Sequence, residues 1–263
     1  MADETPLVMT RDDGAVRILT LNRGARRNPL SSAMIAALRA ALAEIAASSH
    51  IRCVVLAAEG PAFCAGHDLK EIQTARAAPD HGRAVFTALM RDCAALMLAI
   101  RELPVPVMAA IEGIATAAGC QLVATCDLAI AGNAARFATP GVHIGLFCST
   151  PMVALSRNVT NKHAMEMLLT GEMIDAETAH RFGLVNRVVP DGHALPQALL
   201  LAQSIAAKPS ATIKIGKQAF YRQREMPLDD AYAFTAQVMV ENLLHKEAVE
   251  GISAFVGKGR PST

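Results

Sequence analysis

The sequence predicts an α/β fold that ends in an all-helical C-terminal region. Three observations carry this. Short apolar runs of strand length alternate with helix-period stretches over about the first 190 residues. From about residue 150 onward helical patterns dominate, apart from one strand-like run at 184–189. The hydrophobic fraction is 52%, with 50 alanines, two tyrosines and no tryptophan, which describes a close-packed, helix-rich core and excludes a disordered chain.

The elements follow in order. Residues 6–22 form a hairpin, because Asp13-Gly14 separates the apolar runs Leu7–Met9 and Val16–Leu21. A basic loop, Arg23 to Pro29, comes next. Ser31 or Ser32 caps a helix to about residue 48, with Met34, Leu38, Leu42 and Ile45 on its buried face. Residues 53–58 are a short apolar strand and 59–68 a turn-rich segment. Residues 82–101 are helical. Val105 to Ile111 is a buried strand, 113–126 a loop entering a helix, and 127–131 another strand. The last long helix begins near Leu228, where Asp229 and Asp230 suit its N-terminal dipole; Leu228, Tyr232, Met239 and Leu243 share one face. No Pro/Gly/Ser linker divides the chain. The expected organisation is one continuous domain, 1–190 as core and 191–263 as the helical region.

Charge and motifs exclude several classes. The 25 Lys+Arg against 24 Asp+Glu leave no broad basic field for nucleic acid. No uncharged stretch is long and apolar enough to span a membrane. The acidic start Met1-Ala2-Asp3-Glu4 is not a signal-peptide n-region, and the end Pro261-Ser262-Thr263 is no retention or peroxisomal signal, so a cytoplasmic protein is expected. The six cysteines have neither zinc-site nor disulfide-framework spacing, and no metal site is expected. P-loop, nucleophile-elbow, zincin and dinucleotide-binding motifs are absent.

Two loops stand out: Ala65-Gly66-His67-Asp68-Leu69-Lys70 and Ala115-Thr116-Ala117-Ala118-Gly119-Cys120. Each places small residues between a strand and a helix, where a ligand can approach main-chain N–H groups. Facing each other, they would offer a pair of donors to an oxyanion. Tight helix packing through small residues is the plainer alternative.

The residues around these loops resemble the enoyl-CoA hydratase/isomerase, or crotonase, superfamily. The similarity runs through Leu21-Asn22-Arg23 with Asn28-Pro29-Leu30-Ser31, Ala62 to Glu71, Ile111-Glu112-Gly113, Ala118 to Leu122, Cys126-Asp127, Arg136 to Pro140 and Met167 to Gly171. Within it, Gly66 to Glu71, Ala117 to Leu122 and Gly145 to Pro151 are most similar to the group of enoyl-CoA hydratase domain-containing 3 proteins. The resemblance implies a crotonase-type spiral of β-β-α units with a C-terminal helical region that serves trimerisation, in a homotrimer or dimer of trimers. It implies an acyl-CoA partner, no separate cofactor, and a role in fatty-acid metabolism. By motif position the oxyanion donors would be the His67 and Ala118 amides. Arg23, Arg26 and Arg27 would lie near the CoA phosphates, which guanidinium groups match, with Ala65, Asp68, Leu69 and Lys70 beside the ligand.

The same resemblance raises a difficulty. Hydratases of this family use two glutamates, and their positions hold Gln121 and Gly141 here. An amide cannot take a proton from water at neutral pH, and glycine has no side chain. A placed acid/base contributes about 10²–10⁴, so hydration is expected to be slow. Replacement groups would come from His143, Cys148, Ser149 or Thr150, His143 foremost. Asp68, Glu112 and Asp127 sit at helix entry, a turn and a strand start, positions that read as structural. Three readings remain open: an acyl-CoA enzyme with non-standard residues, hydratase or isomerase; a weak or non-catalytic acyl-CoA binder; and a thioesterase.

Overall fold

The computed structural model describes residues 5–257. Met1 to Glu4 and Pro261 to Thr263, the segments weighed above for targeting signals, lie outside the described residues. In chain order the elements are β1 (Val8–Asp13), β2 (Val16–Leu21), α1 (Ser32–Ala47), β3 (Cys53–Ala58), β4 (Ala62–Cys64), α2 (Leu69–Ala75), α3 (Arg83–Glu102), β5 (Val107–Ile111), β6 (Ile114–Thr116), α4 (Ala118–Thr125), β7 (Leu128–Gly132), β8 (Arg136–Ala138), α5 (Pro151–Leu155), α6 (Asn161–Thr170), β9 (Ile174–Asp175), α7 (Ala176–Phe182), β10 (Arg187–Val189), α8 (Ala194–Ala206), α9 (Ser210–Gln223), α10 (Leu228–Leu244) and α11 (Lys246–Gly257).

The strands build two sheets. One has the order β1-β2-β3-β5-β7-β10 and is parallel except for the β1–β2 hairpin. The other, β4-β6-β8-β9, consists of strands two or three residues long. Successive pairs β3–β4, β5–β6 and β7–β8 each send one strand to either sheet, so the chain advances as a spiral. The α/β class and the spiral of β-β-α units hold. The strands of the second sheet leave no pattern in the sequence, because runs such as Ala62–Cys64 are too short to show alternation.

Local chemistry explains most boundaries. Asp13 pairs with Val16 across a two-residue turn in which Gly14 takes φ 59°, as a tight hairpin requires. The Ser31 hydroxyl accepts a hydrogen bond from the Met34 amide and caps α1. The strand expected from Val105 begins at Val107, since prolines 104 and 106 lack a ladder donor. The strand expected over 184–189 is only Arg187–Val189, because Leu184 and Val185 turn into the core as buried plugs.

Side-chain alternation splits the core in two. Leu19, Leu21, Val54 and Leu56 face α1, α3 and α4, together with the buried rings of Phe63 and Phe137. Val16, Ile18, Val55 and Met108 face the other way, onto α8. That helix meets the sheet through Ala194, Ala198 and Ala202, one residue per turn, and their small size lets the backbone come close. Here the alanine content has a direct structural use.

The C-terminal helices differ from expectation in one respect. The long helix from Leu228 stops at Leu244, and extended His245 separates it from α11. Leu228, Tyr232, Met239 and Leu243 are exposed, as are Ile252 and Phe255 of α11. The apolar face of these helices has no cover from the described residues of this chain.

Candidate functional site

The two small-residue loops meet. A Cβ placed on Gly66 would stand 3.0 Å from the Ala117 Cβ and 3.4 Å from the Ala118 nitrogen, and one on Gly119 would collide with the Cys64 carbonyl. Only glycine fits either place. The Thr116 hydroxyl donates to the Ala65 carbonyl across the same contact, at 3.2 Å. Because β4 and β6 are parallel neighbours, both loops leave the carboxyl edge of the short sheet side by side.

Each loop ends in an amide with nothing to donate to. Ala118 is the first residue of α4, so its N–H has no partner within the helix. Among the described residues, neither the His67 nor the Ala118 amide finds an acceptor. Ala117, just before, takes φ 50° and ψ −117°, a conformation an alanine adopts only at a cost of order 1–3 kcal/mol. The surrounding contacts hold it there, and the strain aims the α4 N-terminus at the Gly66 loop.

The arginine loop is stitched onto this edge. The Ala65 amide donates to the Arg27 carbonyl, and the Leu30 amide to the Gly66 carbonyl. Asn28, whose role no local sequence pattern signals, is the organiser. It is fully buried with φ 49°; its Oδ1 accepts from the Arg23 amide, and its Nδ2 donates to the Glu59 and Ala62 carbonyls, all at 2.7–2.8 Å. Gly24 and Gly60 make this possible, since a Cβ on either would strike the other's backbone. Arg26 and Arg27 are exposed beside the loop. Arg23 is used otherwise: its guanidinium donates to the carbonyls of Thr5 and Asn22, at 2.9 and 2.7 Å, and so braces the N-terminal segment.

The other predicted residues separate. The His67 ring does not supply a free acid. Its Nδ1–H donates to the Leu30 carbonyl at 3.0 Å, its Nε2 is buried without a partner, and burial pushes its pKa down. Asp68 caps α2, accepting from the Lys70 and Glu71 amides. Leu69 and Lys70 are exposed in the first turn of that helix. Glu112 caps α8 through the Ala194 amide.

Gln121 sits one turn into α4, is 5% exposed, and has a buried Oε1 with no hydrogen-bond partner. Gly141 lies in a 3-10 turn, Pro140–Ile144. A Cβ there would collide with the Leu146 carbonyl and stand 3.0 Å from the Cys148 sulfur. The Leu146 amide bonds back to the Gly141 carbonyl at 2.9 Å, so loop 145–148 fills the place a longer side chain would need.

His143 is not part of this arrangement. It is exposed and points its Nε2 at Gly171, at the C-terminal end of α6; a Cβ on Gly171 would stand 2.9 Å from that nitrogen. The structure thus sets the His143 ring against the C-terminal end of α6, while Gly141 of the same 3-10 turn is buried. Ser149 is exposed as well, and its hydroxyl turns to the Phe147 carbonyl. Cys148 is buried near Cys120. Burial pushes the Cys120 thiol up to about 12 and that of Cys148 upward too. A thiol so held carries little thiolate at neutral pH. Iodoacetamide at pH 8 is therefore expected to modify Cys148 far more slowly in the native protein than in urea; equal rates would return it as a nucleophile.

A family model for enoyl-CoA hydratase/isomerase matches residues 11–262. The chain belongs to that family. A rat relative named enoyl-CoA hydratase domain-containing protein 3, mitochondrial, is 45% identical over 98% of this chain and 84% of its own length. The crystal structure of an enoyl-CoA hydratase from Mycobacterium smegmatis matches with a TM-score of 0.92 at 50% identity, covering 98% of this chain and 99% of that one. That of human enoyl coenzyme A hydratase domain-containing protein 3 matches at 0.91 with 41% identity, over 98% and 100%. The family assignment and its crotonase fold account for the double-sheet spiral. The cytoplasmic expectation does not stand: five relatives at 40–45% identity are all named mitochondrial.

Proposed function

We propose that this member of the enoyl-CoA hydratase/isomerase family binds acyl-CoA thioesters and is a poor hydratase. The observation that carries the reading is the pair of unpartnered amides at His67 and Ala118, held side by side by two loops that admit no larger residue. A thioester oxygen between them would receive two main-chain hydrogen bonds, and these strengthen as the oxygen gains charge. Arg26 and Arg27, at the loop stitched to Ala65, suit the CoA phosphates. Arg23, spent on carbonyls, holds that loop.

The missing carboxylates set the limit. Gln121 can orient a water or hydroxyl but cannot deprotonate it. Gly141 offers no group, and its surroundings leave no room for one. Binding and polarisation without fast proton transfer is the resulting chemistry, so a binder or weak enzyme is favoured over an efficient hydratase. A thioesterase has no activated nucleophile to draw on, given the buried Cys148 thiol and the outward His143. The uncovered apolar face of α10 and α11 supports a homotrimer or a dimer of trimers. The names of the relatives support a mitochondrial setting, and the family supports a place in fatty-acid metabolism.

Calorimetry with crotonyl-CoA, butyryl-CoA and free CoA tests the reading. Both thioesters are expected to bind more tightly than CoA, with crotonyl-CoA hydration slow. Absence of any thioester binding refutes it. Restoring glutamates sharpens the test. Q121E alone is expected to leave hydration slow, and Q121E/G141E to lose stability by about 1–3 kcal/mol through overpacking against Leu146, without gaining activity. Rapid hydration by the double variant would show that loop 145–148 yields.

A further inference from the structure

Gln121 opens onto a cavity of about 370 Å³ between α3, α4, α5 and the end of α9. Its inner wall is apolar, with Met97, Leu98, Ala124, Val153 and Ala154. Its rim is charged, carrying Arg101, Arg157 and Arg224 against a single carboxylate, Glu225. Arg101 and Arg157 each reach the same Glu225 oxygen, both at 3.4 Å, and Arg224 donates to the Arg157 carbonyl at 2.6 Å. The neighbouring buried pair Lys217–Asp127 is self-contained and adds no net charge. Two guanidinium groups thus share one carboxylate at the mouth of an apolar pocket, with Arg224 bonded to the main chain beside them.

The cavity wall starts one turn along α4 from the amide pair, and neither His67 nor Ala118 itself lines it. Gln121 lies three residues after Ala118, about 4.5 Å along the helix axis, and Ala124 and Thr125 follow on the same face. Gln121 is also the unpartnered polar group of this wall, 5% exposed, with its Oε1 buried and without a donor. Arg101 and Arg157 are held by Glu225 and by the Tyr221 and Val153 carbonyls, so a simple fatty tail would use the apolar wall and leave only the excess positive charge of the rim unmatched. A tail that ends in a carboxylate uses both.

We infer that the acyl group taken at this site carries an anionic terminus, so that the preferred ligand is the mono-CoA thioester of a short dicarboxylic acid. This rests on the thioester reading above and names the substrate class within it. The chain would run from the paired amides past Gln121, and its carboxylate would meet Arg157 and Arg101 in the bidentate geometry guanidinium favours. Glu225 would be the competing internal anion.

The test compares adipoyl-CoA with hexanoyl-CoA by calorimetry, with free CoA as a third arm. Adipoyl-CoA is expected to bind about tenfold more tightly than hexanoyl-CoA, in line with one charge-assisted contact. In R157Q that preference is expected to fall below about twofold, and in E225Q to rise. Equal affinity for the two thioesters overturns the inference and leaves the thioester reading intact. Equal loss of free-CoA affinity in R157Q overturns it too, by assigning the rim to the CoA phosphates. No binding of either thioester overturns both.

Discussion

Replacing Lys217 by methionine is expected to cost about 3–5 kcal/mol, the range seen when one partner of a buried ion pair is removed. Lys217 Nζ donates to Asp127 Oδ2 at 2.7 Å and to the carbonyls of Ile100 and Val105 at 3.0 Å each. Asp127 in turn accepts from the Val107 amide at 2.7 Å and the Tyr221 hydroxyl at 2.8 Å. Burial, with the carboxylate beside it, holds the Tyr221 phenol protonated well above its usual range. This cluster fastens α9 to α3, β5 and β7. Without the cation, a buried carboxylate is left facing only neutral donors. Thermal unfolding should show the apparent Tm falling by roughly 6–20 °C for a chain of this size. Adding D127N to K217M should recover part of the loss, because the unpaired charge is gone. A single variant within about 1 kcal/mol of the parent would mean that the pair is not the anchor.

Replacing Ala118 by proline is expected to cut any turnover of an enoyl thioester about 10²–10³-fold, the effect of removing one oxyanion donor. Proline suits the first position of a helix; it removes the N–H and puts its Cδ in that place, beside Gly66 and after the strained Ala117. Ground-state affinity should fall as well, through the lost hydrogen bond, about 0.5–1.5 kcal/mol, and through the ring Cδ that stands in the place of the thioester oxygen. The donor acts mainly on charge that develops later. A loss in kcat larger than the rise in KM is the signature sought. A second readout is spectroscopic: conjugated cinnamoyl-CoA should show a red-shifted absorbance when bound to the parent and a smaller shift with A118P. The strained residue before it, Ala117, makes a melting curve a necessary companion. A folded A118P with unchanged turnover and unchanged shift would remove the Ala118 amide from the site.

Much of the scaffold was legible from local pattern. Asp13-Gly14 between apolar runs gave the hairpin, Ser31 gave the cap of α1, and the uninterrupted apolar run at Cys53–Ala58 gave a strand buried on both faces. The loops at residues 65–70 and 115–120 were recognisable by their small residues, and the replacement of both glutamates is a matter of residue identity. The short second sheet was not legible element by element, because three residues carry too little periodicity. Nor was the role of Asn28, whose partners lie 31 and 34 residues away.

The sequence by itself determined the α/β class and which chemical groups are missing, and it carried the resemblance that implies the family and its spiral, because those depend on residue type and order along the chain. Only the tertiary structure decided which groups converge. It turned His143 outward toward Gly171, buried Cys148, and spent Arg23 on backbone carbonyls. It closed loop 145–148 over Gly141 and brought Arg101 to Tyr221 and Glu225 across more than 100 residues of chain. The physical reason is the same in each case. A side chain's direction is set by the turn that carries it and by the neighbours that pack against it, and neither is written in the local sequence.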